Sequence, residues 1–148
     1  MYPFVKQLLE EHRGRVRLTI RYLPFHRGAD QIVKLLEAAR RQGKYVEALD
    51  ALVASQPKWA INHAARLDLA LKIVEPLGLQ MERLKEDMAA PQLALLIKQD
   101  MQDALTLKIS RTPEFFVNGK PLTTLGYDEL RTMVLQALRE SYGVPGAK

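Results

Sequence analysis

An α/β fold, with helices packed on a small sheet, is what this sequence predicts, and three stretches carry the prediction. RVRLTIRY, Arg15 to Tyr22, alternates apolar and polar residues with the period of a strand. From Ala29 to about Thr106 the chain reads as helix almost throughout. Glu114 to Val117 is a short apolar run that enters an Asn118-Gly119 turn, and a last helix follows. The order helix, strand, helical block, strand hairpin, helix defines the class.

Each element has its own warrant. Tyr2 to His12 is helical, with Val5, Leu8 and Leu9 on one face; Pro3 suits a first turn, where its missing N–H has no partner to lose. Gly14 breaks that helix. In the strand that follows, Val16, Leu18, Ile20 and Tyr22 share one face and Arg15, Arg17, Thr19 and Arg21 the other. A strand in the middle of a parallel sheet is usually apolar on both faces, so this one belongs near a sheet edge. Pro24 closes it.

Asp30 offers a side-chain cap to the next helix, whose stripe is Ile32, Val33, Leu35, Leu36 and Ala39. Gly43 ends it. Tyr45 to Ala54 forms another, and Pro57 interrupts. Leu67, Leu71 and Val74 mark a further helix that stops near Pro76-Leu77-Gly78, and a short one spans Met81 to Met88. Pro91 opens a helix with Leu93, Leu96, Ile97, Ala104 and Leu107 in its stripe. Phe115 and Phe116 point to opposite faces of their strand, which predicts an inner strand covered on both sides. Gly126-Tyr127-Asp128 leads into a last helix with Leu130, Met133, Val134, Ala137 and Leu138, and the tail from Gly143 is expected to fray. No repeat or low-complexity linker divides the 148 residues, which predicts one domain.

Composition narrows the function classes. No apolar run approaches the ~18–20 residues that cross a bilayer, and the acids in MYPFVKQLLEEH are unlike a signal peptide. The net charge is +5, but the cations are spread along the chain without interleaved aromatics, which argues against a nucleic-acid partner. There is no cysteine, so disulfides, thiolate catalysis and cysteine-ligated metals are all excluded for this chain. His12, His26 and His63 lack metal-ligand spacing, and neither a cofactor nor a metal is expected. His26 follows Pro24-Phe25 at a strand end and Glu114 borders another strand; a solvated loop explains the first, and an exposed strand end the second, better than chemistry does. Trp59 and Tyr45 are read as packing residues. No phosphate loop or Ser/His/Asp set is present.

SRTPEFFVNGKPL (Ser110–Leu122), the YPFVKQLLEEH helix and the strand ending in YLPFH resemble the DsbA-like branch of the thioredoxin superfamily. The resemblance covers nearly the whole chain. It implies a thioredoxin-like fold in which residues of about 29–106 are an inserted helical block. It implies thiol–disulfide exchange by a Cys-x-x-Cys pair at the start of the Tyr2–His12 helix, where the helix dipole stabilises a thiolate. That pair and the strand before it would fall just ahead of Met1, so the expectation is an N-terminally truncated domain, redox-inactive for want of sulfur. A non-catalytic peptide-binding module is the alternative. In either case the resemblance makes Arg111, Thr112 and Pro113 the substrate-binding residues. It implies a cis Thr112-Pro113 bond and an extended peptide or protein substrate paired with the main chain of Thr112. It also implies a periplasmic or exported protein; neither a membrane nor a nucleic acid is expected as a partner. The missing strand would lie between Val16–Tyr22 and Glu114–Val117. Three outcomes follow: direct pairing of the two, marginal stability, or insertion from a second chain, the last giving a homodimer by strand exchange.

Overall fold

The computed structural model describes residues 1–143. The expected fraying of the tail beyond Gly143 lies outside them. The described chain forms two compact units: Met1–Ile20 together with the residues from Ile109 onward, and Arg21–Lys108.

In the first unit, α1 (Tyr2–Glu11) starts with Pro3 in its first turn and ends at His12. The hairpin β3 (Phe116–Val117) and β4 (Lys120–Pro121) pairs Phe116 with Pro121 and Val117 with Lys120. Asn118 and Gly119 connect them with φ of 48° and 80°, the two positive values that a tight hairpin turn of this hand demands. The Leu122 amide donates to the Phe115 carbonyl at 2.8 Å and extends the pairing by one residue. α8 (Tyr127–Tyr142) follows Gly126. Its Leu130 and Val134 meet Leu8 of α1 and Leu122 in one buried cluster, with Met1, Phe4, Val5, Val16, Phe115 and Val117 packed around it.

The second unit is the helical block. α2 (Ala29–Arg41) is its centre: Leu35, Ala38 and Ala39 are fully buried, and α3 (Tyr45–Ala54), α5 (Leu67–Val74), α6 (Met81–Met88) and α7 (Pro91–Thr106) all pack against it. Ala48 and Leu52 of α3, Val74 of α5 and Leu84 of α6 supply the facing apolar groups. α4 (Gln56–Trp59) is a single turn that carries Pro57 near its start.

Four local expectations are corrected. The Arg15–Tyr22 pattern does not form a strand. Among the described residues nothing pairs with it, and a strand exists only through its partner; the alternation survives only in part, with Arg17, Thr19 and Arg21 exposed and Tyr22 buried but Leu18 of the apolar face 40% exposed. The predicted strand Glu114–Val117 is shorter, because among the described residues it pairs with β4 alone, and Phe116 is 38% exposed, so the face it points to is not fully covered as an inner strand's would be. Asp30 does not cap α2. Gly28 holds the N-cap position with φ of 77°, and Asp30 lies in the first turn, bonded by Gln31 and paired with Lys34. The helical block is also broken by a hairpin, β1 (Ala60–Ile61) and β2 (Ala64–Ala65), turned through Asn62 and His63, both at positive φ. Beside it, Ala65 donates its amide to the Arg27 carbonyl at 2.8 Å.

Candidate functional site

Arg111, Thr112 and Pro113 form an exposed loop immediately before the hairpin. The Thr112-Pro113 peptide bond is cis. Among the described residues, no hydrogen bond uses the main-chain N–H or C=O of Thr112, and the Arg111 guanidinium has no acidic partner. The loop is therefore an exposed stretch of unsatisfied backbone beside a free cation. It is held in place from below: Phe115, two residues past the proline, packs on the same cluster as Met1 and Phe4 in the first turn of α1. Phe4 also stacks on Tyr127 at 4.6 Å between ring centroids. The core thus fixes the loop and the start of α1 within one unit. Glu114 is half-buried and makes no hydrogen bond or ion pair among the described residues.

The other sequence candidates fall elsewhere. The His26 and His63 rings approach to 6.0 Å. Among the described residues, no three histidines or carboxylates come together as a metal would require. His12 caps α1 and keeps both ring nitrogens buried without a partner. Trp59 is a packing residue whose indole N–H donates to the Leu52 carbonyl at 2.8 Å.

Tyr45 does more than pack. The hydroxyl of Tyr22 donates to Glu37 Oε1 at 2.6 Å and lies 2.7 Å from that of Tyr45. Arg40 pairs with Glu37 at 2.9 Å and covers the Tyr45 ring at 3.8 Å. Burial, and then the Glu37 carboxylate, hold the Tyr22 phenol far above its ordinary range, and burial raises Tyr45 too. The signal for this cluster was present, since Glu37 follows Val33 by four residues and so interrupts an apolar stripe. A second buried carboxylate, Asp100 on α7, accepts from the Tyr22 amide at 2.8 Å and from Arg21 Nε at 2.5 Å. Arg21 also pairs with Asp103. Both clusters pin the chain at Arg21–Tyr22 to the helices of the second unit.

A proline loop ahead of a terminal hairpin and helix, with a helical insertion between α1 and that loop, defines a thioredoxin-like fold. The family model described as Thioredoxin matches residues 1–136, and the chain belongs to that family. A solved structure, the thioredoxin-like oxidoreductase from Silicibacter pomeroyi DSS-3, is similar with a TM-score of 0.69 and 29% identity over 91% of this chain and 79% of that one. Among curated proteins, the Na(+)/H(+) antiporter NhaA 3 of Salinispora tropica is 36% identical over 121 residues, 80% of this chain and 18% of that protein. NhaA of Herminiimonas arsenicoxydans is 30% identical over 132 residues, 88% of this chain and 20% of that protein. The chain spans about a fifth of the length of these antiporters. Among the described residues no helix is long and apolar enough to cross a membrane.

Proposed function

We propose that this chain is a DsbA-like domain of the thiol–disulfide oxidoreductase type that keeps the substrate-holding surface and lacks the sulfur chemistry. The exposed, unpaired main chain of Thr112 carries this reading. An extended peptide laid against it gains backbone hydrogen bonds without displacing any the protein already makes. Arg111, without an acidic partner among the described residues, stands beside it for an acidic residue of the substrate. The likeness to a thioredoxin-like oxidoreductase supports the same assignment. Exchange itself needs a thiolate attacking a disulfide, and none of the 148 residues is cysteine.

Two measurements test the reading together. The isolated chain is expected to give no insulin reduction and no dithiol-peptide oxidation above background; turnover by a cysteine-free sample, verified by mass, contradicts it. Unfolded polypeptide, such as reduced and carboxymethylated lactalbumin, is expected to bind the native chain. Thr112→Pro, which deletes the N–H, should weaken that binding by about tenfold, roughly the loss of one well-made hydrogen bond. Equal binding by the variant removes Thr112 from the site. As a non-catalytic module the chain would show the same binding, and the two readings differ in whether cysteines supplied by a longer form of the polypeptide restore turnover.

A further inference from the structure

The β1–β2 hairpin turns through Asn62 and His63 with φ of 50° and 57°, a pair of positive values like that of the Asn118-Gly119 turn. In that other turn the second position is a glycine, which reaches positive φ without steric cost. Here it is a histidine, whose Cβ crowds its own backbone in that conformation. Glycine would serve the turn better, so what this position gains is the imidazole.

A second histidine meets it. His26 lies where the chain enters α2, and its ring centroid is 6.0 Å from that of His63, with the planes inclined at 37°. Both residues are exposed. Main chain fixes their two segments to each other. Arg27 bridges to Ala64 in parallel, the Ala65 amide donates to the Arg27 carbonyl at 2.8 Å, and the Ala29 amide donates to the His26 carbonyl at 3.0 Å. Gly28 passes so near that a Cβ on it would lie 2.7 Å from the Ala65 carbonyl oxygen. The backbone thus presents the two imidazoles together, and only side-chain rotations remain to adjust them.

We infer that His26 and His63 chelate one exchangeable divalent ion of the late first transition row, such as Ni(II), Cu(II) or Zn(II). Metal–nitrogen bonds of ~2.0–2.1 Å put an ion about 3.2 Å from each ring centroid, so two rings on one ion have centroids about 4.5–6.4 Å apart, depending on the angle at the metal. The observed separation falls inside that range. Enclosing a permanent metal takes three or four protein ligands, and among the described residues no carboxylate or further histidine joins these two. Water completes the shell instead, which makes the ion exchangeable. An all-nitrogen protein donor set suits these ions and not Mg(II) or Ca(II), which take oxygen. Bound there, the ion ties the hairpin turn to the segment entering α2.

Isothermal titration of the untagged chain with nickel chloride, and separately with magnesium chloride, tests this. One Ni(II) should bind per chain and Mg(II) should give no heat. His26→Gln and His63→Gly should each weaken Ni(II) binding by about a hundredfold, the advantage that a second tethered ligand gives over a lone imidazole. Without metal, His63→Gly should melt no lower than the parent, since glycine relieves the turn. Saturating Ni(II) should raise the melting midpoint of the parent, read by far-UV circular dichroism, and leave that of either variant in place. Unchanged Ni(II) affinity in either variant, no binding by the parent at millimolar Ni(II), or equal affinity for Mg(II) overturns the proposal. So does a metal-free His63→Gly chain that melts below the parent, because the histidine then serves the fold.

Discussion

Replacing Asp100 tests how the chain is anchored where it enters the helical unit. The carboxylate is 6% exposed and accepts from the buried Tyr22 amide and from Arg21. Asp100→Ala leaves that amide without an acceptor, and a hydrogen bond to a charged group contributes ~1.5–3 kcal/mol. Arg21 is half-exposed and keeps Asp103, so its share is at most ~1 kcal/mol after solvent screening. The sum is a loss of about 1.5–4 kcal/mol, a large part of a domain's ~5–15 kcal/mol. Asp100→Asn keeps an oxygen for the amide and should lose only about 1 kcal/mol. Urea unfolding followed by far-UV circular dichroism reads both as shifts in midpoint at unchanged slope. If Asp100→Ala lies within about 0.5 kcal/mol of the parent, or Asp100→Asn is as damaging as Asp100→Ala, the amide is not what this carboxylate serves.

Stability should fall as pH rises above about 10, the ordinary tyrosine value, because the unfolded chain then ionises tyrosines that Tyr22 and Tyr45 keep neutral when folded. The slope is up to about 1.4 kcal/mol per pH unit for each such group; Tyr22→Phe should flatten it, and an unchanged slope in that variant counts against the assignment. Gly28→Ala should destabilise by at least about 1–2 kcal/mol, since Gly28 sits at a φ of 77° and an added Cβ would lie 2.7 Å from the Ala65 carbonyl oxygen. A neutral result in thermal unfolding would show that the β2 approach relaxes freely. Leu84→Ala, at a fully buried position facing α2, should cost about 2–5 kcal/mol by urea titration, and less than 1 kcal/mol would mean that the site collapses around the missing atoms.

Helices were legible because their signal is local. Ile32, Val33, Leu35, Leu36 and Ala39 all lie in the buried stripe that their spacing predicts. Asn118-Gly119 was legible for the same reason, since two residues contain the whole turn. Arg15–Tyr22 was legible as a pattern and not as an outcome: alternation states what a segment can do, and the ladder depends on a partner the segment does not contain. The Ala60–Ala65 hairpin was missed because its turn uses Asn62 and His63 at positive φ, where no glycine marks the place. Gly28 took the cap from Asp30 because its approach to Ala65 is a tertiary demand. Arg111–Pro113 could be named only through likeness to a family, since nothing in the types or spacing of those three residues requires exposed, unpaired backbone. Arg15 and Arg17 were read as one face of a strand; that neither has an ion-pair partner among the described residues became visible only with the chain folded.

The single tryptophan has a consequence for how this molecule can be observed. Trp59, tied through its indole N–H to Leu52, belongs to the helical unit, and the unit that carries the proline loop has no tryptophan. Emission excited at the indole band therefore watches one half of the protein and is blind to the other. The stacked Phe4–Tyr127 pair adds a chromophore of the first unit, and near-ultraviolet dichroism sees it together with Tyr22, Tyr45 and Trp59 of the second. Indole emission confined to one unit and dichroism drawn from both make cooperativity a direct measurement: coincident melting curves mean a single unfolding event, and separated curves mean that the units unfold in different transitions.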